Sequence, residues 1–253
     1  MLNQNINISA AIVLYNEEEE ELLQAINSFL SSKLTKKLFL VDNSTSKFTN
    51  ATILNHPDVV YIFNNRNLGF GRANNLVIDS IKDVSEFHLI LNPDTKFDPN
   101  ILDELTTELI KNEDLALITP AIKFPDGSHQ YSVRKYPSFF DLIIRKLGVF
   151  KSRIHNKEYR DIDLSQPFYP DAVHGSFMLF KTEDFVAVDG FDERYFLYLE
   201  DIDICKKIDT LGKKKLFYPK VTVTHALKKE SSKKLKLFFY HFSSAIQYFL
   251  KWL

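Results

Sequence analysis

The chain contains little of what several common classes of site require. Of its 253 residues only one is a cysteine, Cys205, which excludes an intramolecular disulfide framework and a cysteine-based zinc site. The formal net charge of -1 lacks the basic excess of a bulk nucleic-acid binder, so no nucleic-acid partner is expected. No run of about 18 apolar residues is present, so a membrane-spanning helix is not expected. Residues 1–8 lack the basic start and apolar core of a signal peptide, which predicts a cytoplasmic protein.

Short apolar runs alternate with amphipathic helical patterns over the first 120 residues. The predicted strands are residues 6–14, 37–41, 59–63, 87–91 and 115–119, and the predicted helices are residues 17–30, 69–81 and 100–110. This alternation predicts an α/β fold with a mainly parallel sheet flanked by helices. Further along we predict a partly helical excursion over residues 125–170, a strand at 172–180 and a helix at 201–211. Two short strands follow, at residues 215–218 and 221–224.

Polar side chains are concentrated where the predicted strands end. Asn16 follows the first strand, Asp42 and Asn43 follow the second, residues 64–67 the third, and residues 92–94 the fourth. In sheets of this kind ligands bind outside the carboxyl ends of the strands. We therefore predict a binding site at this edge of the sheet.

A second candidate site is the acidic end of an aromatic, apolar run at residues 195–203. Glu200, Asp201 and Asp203 follow Tyr-Phe-Leu-Tyr-Leu in this segment. Because carboxylates prefer water and the run prefers burial, the pattern indicates acids held in the wall of a cleft. A general base needs such a setting.

Seven sequence features occur in a fixed order along the chain. They are VLYN at 13–16, VDNS at 41–44, NLGFGRANN at 67–75, LNPDT at 91–95, Gly175, FLYLEDID at 196–203 and His225. In this order they resemble family 2 glycosyltransferases. The resemblance covers residues 8–250 and is strongest to the bacterial rhamnosyltransferase-type enzymes of surface-polysaccharide assembly.

The resemblance implies an inverting enzyme with a GT-A (Rossmann-like) domain over residues 1–227. Residues 1–120 would be the half that binds a nucleotide sugar, and residues 121–227 the half that binds the acceptor. Residues 228–253 are predicted as a basic amphipathic C-terminal helix.

A dTDP- or UDP-sugar donor is implied at the strand ends. The residues assigned to it are Leu14, Tyr15, Asn16, Asp42, Asn67, Gly71, Arg72 and Asn92. Asp42 is a candidate for the N3–H of a uracil or thymine ring, although an Asp can equally close its own turn. Gly69 and Gly71 precede a helix whose first amides suit phosphate, but a plain turn before a helix explains them as well.

A divalent cation, Mg²⁺ or Mn²⁺, is implied at the position where these enzymes carry an Asp-x-Asp motif. Asp94 and His225 are the predicted protein ligands, with diphosphate oxygens and water completing the shell. Asn92 replaces the first Asp, which removes one charge from the motif and departs from the family pattern. An Asx turn at Asp94 and a strand-end role for His225 are the alternatives.

The acceptor side is assigned to the acidic segment and to the predicted strand before it. The resemblance implies Asp201 as the general base, with Glu200 orienting the acceptor or raising the pKa of Asp201. For Asp203 we favour a helix-start acid. Asp171, His174 and Gly175 are candidates for contact with the acceptor sugar, and a turn after Pro170 explains Asp171 nearly as well.

The C-terminal pattern leaves two partners open for one helix face. Apolar residues recur at spacings of three and four, and lysines outnumber acids. An anionic membrane and a protein surface, including the second subunit of a homodimer, suit this face about equally. A lipid-linked oligosaccharide acceptor would favour the membrane and place the enzyme peripherally at the inner face of the plasma membrane. The lysines are residues 228, 229, 233, 234, 236 and 251, with the single acid Glu230.

The sequence thus predicts transfer of a sugar, with rhamnose as first candidate, to a lipid-linked glycan in O-antigen or capsule synthesis. A sugar-nucleotide nucleotidyltransferase is a rival, but it requires a Gly-rich basic loop after the first strand, where Tyr15, Asn16 and Glu17 stand. A non-catalytic nucleotide- or glycan-binding module with the same fold is a second rival.

Overall fold

The first half of the chain forms the alternating strands and helices that the sequence predicts. The structure is a computed structural model, and it describes residues 7–82, 85–141, 150–226 and 235–252. The elements in this half are β1 (Asn7–Leu14), α1 (Glu19–Leu30), β2 (Thr35–Asp42), α2 (Ala51–Leu54), β3 (Val59–Phe63), α3 (Phe70–Asn75), α4 (Ile78–Ile81), β4 (Phe87–Leu91), β5 (Thr95–Lys96), α5 (Ile101–Lys111) and β6 (Leu115–Lys123).

The second half adds short strands, two strands that enter the main sheet, and the helices around the acidic segment. Its described elements are β7 (His129–Gln130), β8 (Val133–Arg134), α6 (Lys151–Lys157), β9 (Ala172–Val173), β10 (Phe177–Lys181), α7 (Thr182–Ala187), α8 (Glu200–Thr210), β11 (Lys214–His225) and α9 (Leu235–Trp252).

One large mixed sheet runs through both halves. Its strand order is β3-β2-β1-β4-β10-β6-β11-β5, and β7 pairs with β6. Strands β1 to β4 run parallel to one another, whereas β10 lies between β4 and β6 and is antiparallel to both. Alternate residues of β1 enter two separate cores. Ile12 packs on one face with α1 and α5, and Ala11 packs on the other with α8 and α9.

Three predicted elements differ from the observed ones. The predicted strand at 172–180 is two strands in different sheets, because the chain turns at residues 174–176 between β9 and β10. The predicted strands at 215–218 and 221–224 are one strand, β11, whose register shifts where Pro219 cannot donate a ladder hydrogen bond. The predicted helix at 69–81 is divided into α3 and α4.

The C-terminal helix α9 packs along the domain through part of its surface. Ser244, Ala245 and Tyr248 are its buried residues. The predicted lysine tract at 228–234 lies outside the described residues, so its helical conformation stays a prediction. In the part of the chain that the structure describes, no helix has the length and apolar character needed to cross a membrane.

Candidate functional site

The predicted strand-end side chains meet at one edge of the sheet and bond to one another. The Asn16 amide donates to Ser44 Oγ at 2.9 Å. Asn43 Nδ2 donates to the Gly69 carbonyl at 3.2 Å, and Asn64 Nδ2 donates to Asn43 Oδ1 at 2.9 Å. Asn43 was not assigned a role from the sequence, yet its buried side-chain amide links the loop after β2 to the loop after β3. Its place in the VDNS segment was the available signal.

Asp42 closes its own loop, as the turn interpretation expects. Its Oδ1 accepts from the Ser44 amide at 2.8 Å, and its Oδ2 accepts from the Phe48 amide at 3.1 Å and from Tyr61 Oη at 2.6 Å. Burial and this bond to Asp42 raise the pKa of Tyr61 to about 12, so the hydroxyl stays a donor. Contact between Asp42 and a pyrimidine ring stays a prediction, as do the donor contacts of buried Leu14 and exposed Tyr15.

The glycine segment packs against the chain that leads to the acidic pair. Gly69 has φ +86°, and a Cβ there would lie 2.3 Å from the Phe196 carbonyl oxygen. The Gly69 amide donates to Asn67 Oδ1 at 2.9 Å, and the Phe70 amide donates to the Phe196 carbonyl at 3.2 Å. Both amides therefore already have partners, which favours a positioning role for this turn.

Gly71 and Arg72, which follow that turn, also lie against the segment before α8. A Cβ on Gly71 would lie 2.9 Å from Phe191 Cβ. Arg72 Nε lies 3.4 Å from Glu193 Oε2, and both side chains are half exposed. Binding of a donor diphosphate by Gly71 and Arg72 stays a prediction.

The structure brings the two predicted metal ligands together. Antiparallel pairing places Thr95 opposite His225, and Asp94 Oδ1 lies 3.1 Å from His225 Nε2. Two ligand atoms bound at about 2.1 Å and at right angles would be about 3.0 Å apart, so the spacing fits neighbouring positions on an octahedral cation. Among the described residues no group of three or more His, Cys, Asp or Glu could hold a metal ion. This pair would therefore need further ligands from a substrate and water.

The surroundings of His225 suit a ligand nitrogen. Its Nδ1 lies 2.8 Å from Gln130 Oε1, and donation from Nδ1–H to this oxygen leaves a lone pair on Nε2. Asn92 Nδ2 lies 3.3 Å from the same Nε2. Asn92 therefore borders the proposed cation position without adding a charge. Nothing in the sequence pointed to Gln130.

Glu200 and Asp201 begin helix α8 and form an acid pair, in which Glu200 is buried and Asp201 is partly buried. Burial and the neighbouring Asp201 raise the pKa of Glu200 to about 8, and Glu200 Oε2 has no hydrogen-bond partner. Burial also raises the pKa of Asp201, against the opposing charge of Arg134. Asp201 Oδ1 accepts from the Ile202 amide at 2.8 Å, and Oδ2 accepts from the Gly175 amide at 3.3 Å. Each carboxylate oxygen keeps a lone pair for another donor.

The backbone before this pair is held in an unusual conformation. Tyr198 and Leu199 have φ of 73° and 68°, a region that costs a non-glycine residue about 1–3 kcal/mol. Packing on the Gly69 turn and on α9 holds the segment, since Ser244 Oγ donates to the Leu197 carbonyl at 2.8 Å.

Asp203 connects α8 to the C-terminal helix. It is fully buried and accepts from Lys251 Nζ at 2.7 Å, from Trp252 Nε1 at 2.7 Å and from Tyr195 Oη at 3.1 Å. It stands in the first turn of its helix, as the sequence interpretation holds. These contacts give it a second role as the anchor of α9.

The segment at 174–176 lies between the acid pair and the predicted metal ligands. The Gly175 amide bonds to Asp201, the Ser176 carbonyl accepts from the Asn92 amide at 3.0 Å, and the His174 ring lies 6.0 Å from the His225 ring. Asp171 instead bonds to the excursion, accepting from the Tyr136 amide at 2.9 Å. Contact of His174, Gly175 or Asp171 with an acceptor stays a prediction.

Comparisons with known proteins agree with this architecture. Residues 9–185 match the family described as Glycosyl transferase family 2. The chain is 28% identical to rhamnosyltransferase WbbL of Escherichia coli (strain K12), over 94% of this chain and 90% of that protein. It is 29% identical to the N-acetylglucosaminyl-diphospho-decaprenol L-rhamnosyltransferase of Mycobacterium tuberculosis (strain ATCC 25618 / H37Rv), over 78% of this chain and 68% of that protein.

Two solved structures share the fold at low sequence identity. GalNAc-T7, solved with UDP, GalNAc and Mn²⁺, has a TM-score of 0.67 at 18% identity, covering 89% of this chain and 44% of that one. The mannosyltransferase PcManGT of Pyrobaculum calidifontis, solved with GDP-Man and Mn²⁺, has a TM-score of 0.62 at 16% identity, covering 97% and 65%. With the family match over residues 9–185, these findings show that the chain belongs to glycosyltransferase family 2, as a transferase with the GT-A fold.

Proposed function

We propose that this glycosyltransferase is an inverting enzyme that moves a sugar, with rhamnose as first candidate, from a dTDP- or UDP-sugar to a lipid-linked glycan. The name of the E. coli relative specifies rhamnosyl transfer. The name of the mycobacterial relative specifies an acceptor on diphospho-decaprenol. Both names support a role in the synthesis of a bacterial surface polysaccharide such as O-antigen or capsule.

The observation that carries this proposal is the short bridge between the acid pair and the two predicted metal ligands. Through residues 174–176, Asp201 lies on one side, and Asn92 and His225 lie on the other. A donor whose diphosphate is held near His225 would present its anomeric carbon toward Asp201. The acceptor hydroxyl would then enter between them, next to Gly175.

The chemistry assigned to Asp201 is removal of one proton. Its Oδ2 accepts one hydrogen bond, from the Gly175 amide, and keeps a lone pair for the acceptor hydroxyl. As the hydroxyl oxygen bonds to the anomeric carbon, its proton moves to Oδ2 and the bond to the nucleoside diphosphate breaks. Attack from the side opposite the leaving group inverts the anomeric centre. Burial and the neighbouring Asp201 raise the pKa of Glu200 to about 8, which favours the neutral form of Glu200 beside the proposed base.

Asp94 and His225 are the residues that would hold a divalent cation, Mg²⁺ or Mn²⁺. Such a cation would neutralise the charge that develops on the leaving diphosphate. The 3.1 Å between Asp94 Oδ1 and His225 Nε2 and the lone pair on Nε2 support this assignment. Because the chain offers two ligands here, we expect the cation to bind tightly only together with the nucleotide.

The same proposal assigns one of the two substrates to each half of the chain. Residues 1–120 would bind the donor and residues 121–227 the acceptor, within one shared sheet. The exposed face of α9 would hold the enzyme at the inner face of the plasma membrane, where a lipid-linked acceptor is presented.

Transfer and donor binding test the proposal when they are measured separately in the same variants. Asp201→Asn should lower the turnover of sugar transfer by about 10²–10⁴-fold, because the amide cannot accept the proton. The same variant should keep the rise in melting temperature that UDP or dTDP produces with Mn²⁺. Asp94→Asn should lose most of that Mn²⁺-dependent rise, because it removes a ligand charge.

Asp189→Asn is the matched control, since Asp189 is exposed and lies outside the site with a positive φ that Asn tolerates. It should retain both transfer and stabilisation. If no pyrimidine nucleotide stabilises the wild type with Mn²⁺, the donor assignment is wrong. Nucleotide binding without transfer to any glycan acceptor would instead favour a non-catalytic binding module.

A further inference from the structure

A cavity lined by four cationic side chains lies beside the acid pair and has no role in the mechanism described above. We call it the basic cavity, and its cations are Arg134, Lys135, Arg153 and Lys157. Leu199 and Ile202, which flank Glu200 and Asp201 in the chain, form part of its wall. Its volume is about 70 Å³, and a single water needs about 10–15 Å³, so the space suits a group of several atoms.

The charge of the basic cavity is only partly balanced from within. Among the described residues of its wall Asp141 is the one carboxylate, and it pairs with Arg153 Nε at 2.5 Å and with Lys157 Nζ at 3.2 Å. Burial opposes the ionisation of Asp141, but the hydrogen bonds from Arg153 and Ser138 outweigh it and hold its pKa well below the usual value. Four cations face one carboxylate, which leaves a surplus of three positive charges at the wall of a confined space.

Two of these cations retain capacity for an anion. Arg134 Nε is buried and has no hydrogen-bond partner among the described residues. Pairing of β8 with β9 fixes its backbone opposite Ala172. Lys135 Nζ donates to the neutral Asn156 Oδ1 at 3.1 Å and lies 5.3 Å from the centroid of the Tyr159 ring, so both of these partners are uncharged. Guanidinium and ammonium donors of this kind suit phosphate oxygens.

We propose that the basic cavity binds the diphosphate group of the lipid-linked acceptor. The inference rests on the proposed function and names where that acceptor is held. The donor diphosphate is assigned to Asp94 and His225, on the other side of residues 174–176 from Asp201. The basic cavity lies at the start of α8 and beside α9, since Leu199, Ile202 and His241 are part of its wall.

The position fits the shape of such an acceptor. A sugar whose anomeric oxygen carries the diphosphate would place the phosphates in the basic cavity and a hydroxyl of its ring at Asp201. The prenyl chain would leave the cavity along α9, whose apolar face is proposed to contact the membrane. Arg134 acts at both places, because its charge also bears on the pKa of Asp201.

Calorimetric titration with geranyl diphosphate tests this inference without requiring catalysis. The assay uses the full chain in EDTA without nucleotide, so that no cation draws the probe to Asp94 and His225. Lys135→Ala should weaken binding about tenfold or more, because one charge-assisted contact is lost. Arg153→Gln is the second variant and should also weaken it. Lys111→Ala, an exposed lysine on α5, is the control and should bind as the wild type does.

The melting temperature of each variant shows whether it folds. If Lys135→Ala does not fold, the affinity of Arg153→Gln for geranyl diphosphate tests the inference instead. Equal affinity in the wild type and in a folded cavity variant would overturn the inference, as would displacement of the probe by UDP in EDTA. An anionic lipid headgroup is the other source of phosphate. If Lys135→Ala weakens binding to phosphatidylglycerol vesicles but not to geranyl diphosphate, the cavity serves the membrane and the inference is wrong.

The outcome also separates this inference from the proposed function. Binding of the diphosphate that depends on Lys135 and Arg153, in a chain that transfers no sugar, would support the basic cavity and contradict the proposed function. Sugar transfer to a prenyl-diphosphate acceptor whose KM is unchanged in Lys135→Ala would support the proposed function and contradict the basic cavity.

Discussion

At the scale of single residues, Glu200 and Asp201 show how their surroundings give two neighbouring acids different properties. Glu200 is buried with an unpartnered oxygen, and burial together with Asp201 raises its pKa to about 8. Asp201 accepts two amide hydrogen bonds and is close enough to Arg134 for that charge to oppose the rise in its own pKa. Burial and the neighbouring carboxylate therefore favour the neutral form of Glu200 beside the residue assigned as base.

The pKa of Glu200 predicts a specific dependence of stability on pH. Its folded pKa of about 8 lies above the ordinary glutamate pKa of 4.5, so its contribution to stability is complete at low pH and is lost as pH rises from 4.5 to 8. A glutamine at position 200 does not titrate. The free energy of unfolding of Glu200→Gln, relative to that of the wild type, should therefore increase as the pH rises over this range. The increase should reach a few kcal/mol, since one unit of pKa shift corresponds to about 1.4 kcal/mol.

Urea unfolding of both proteins at pH 5 and pH 8 measures this difference. Glu113→Gln is the control, because Glu113 is exposed and far from the pair in the chain, and its difference from the wild type should not grow with pH. A Glu200→Gln difference that is the same at both pH values would show that Glu200 is already ionised at neutral pH.

At the scale of elements, the turn before α3 supports the segment that carries the acids. The Phe70 amide bonds to the Phe196 carbonyl, and Phe196 lies two residues before Tyr198, the first of the two residues with positive φ. On the opposite side, Lys251 and Trp252 of α9 bond to Asp203. The strained backbone at 198–199 is therefore held between one loop and one helix.

Gly69→Ala and Gly127→Ala separate the steric requirement at this turn from simple backbone preference. Both glycines have positive φ, +86° and +82°, so an alanine at either should cost about 1–2 kcal/mol. At Gly127 the new Cβ meets nothing within 4 Å, whereas at Gly69 it would lie 2.3 Å from the Phe196 oxygen. Gly69→Ala should therefore lose about 1–3 kcal/mol more in the free energy of unfolding.

Denaturant unfolding of the two variants provides the comparison, with Gly127→Ala as the control for backbone strain. Gly69→Ala should also lower sugar transfer, because the segment before Glu200 must shift. Equal losses of stability would mean that the turn gives way without disturbing Phe196.

At the scale of the whole molecule, the exposed aromatic residues form a surface that the fold itself does not cover. Phe238, Phe239 and Phe242 of α9 are 38%, 58% and 50% exposed. Phe139 and Phe140 of the excursion are also more than half exposed, and the Phe139 ring lies 5.6 Å from the Phe249 ring of α9. The two elements together thus present one apolar surface, and the exposed Lys236 of α9 adds positive charge to this helix.

Membrane binding is the proposed use of this surface. The double variant Phe239→Ser with Phe242→Ser should lower partitioning to phosphatidylglycerol vesicles about a hundredfold, since burying each phenylalanine stabilises binding by about 1.5–3 kcal/mol. Ile110→Ser removes an exposed apolar side chain from α5 and is the control. Cosedimentation measures the partitioning. Should the double variant keep vesicle binding but turn a dimer into a monomer, the face belongs to a second subunit.

Both predicted halves contribute to the same sheet at this scale. Strand β10, from the second half, lies between β4 and β6 of the first. The proposed division at residue 120 therefore concerns which substrate each half binds, since neither half completes the sheet alone.

The sequence by itself determined the strands, most helices and the family, because apolar spacing and short motifs are local properties. Even so, it joined β9 to β10, since periodicity does not reveal that a chain changes sheets at residues 174–176. Only the tertiary structure placed Asp94 beside His225, Gly69 under Phe196 and the charge of Arg134 near Asp201. These contacts join residues far apart in the chain, and their distances depend on strand order, register and the packing of α8 and α9. Local residue preferences carry no information about them.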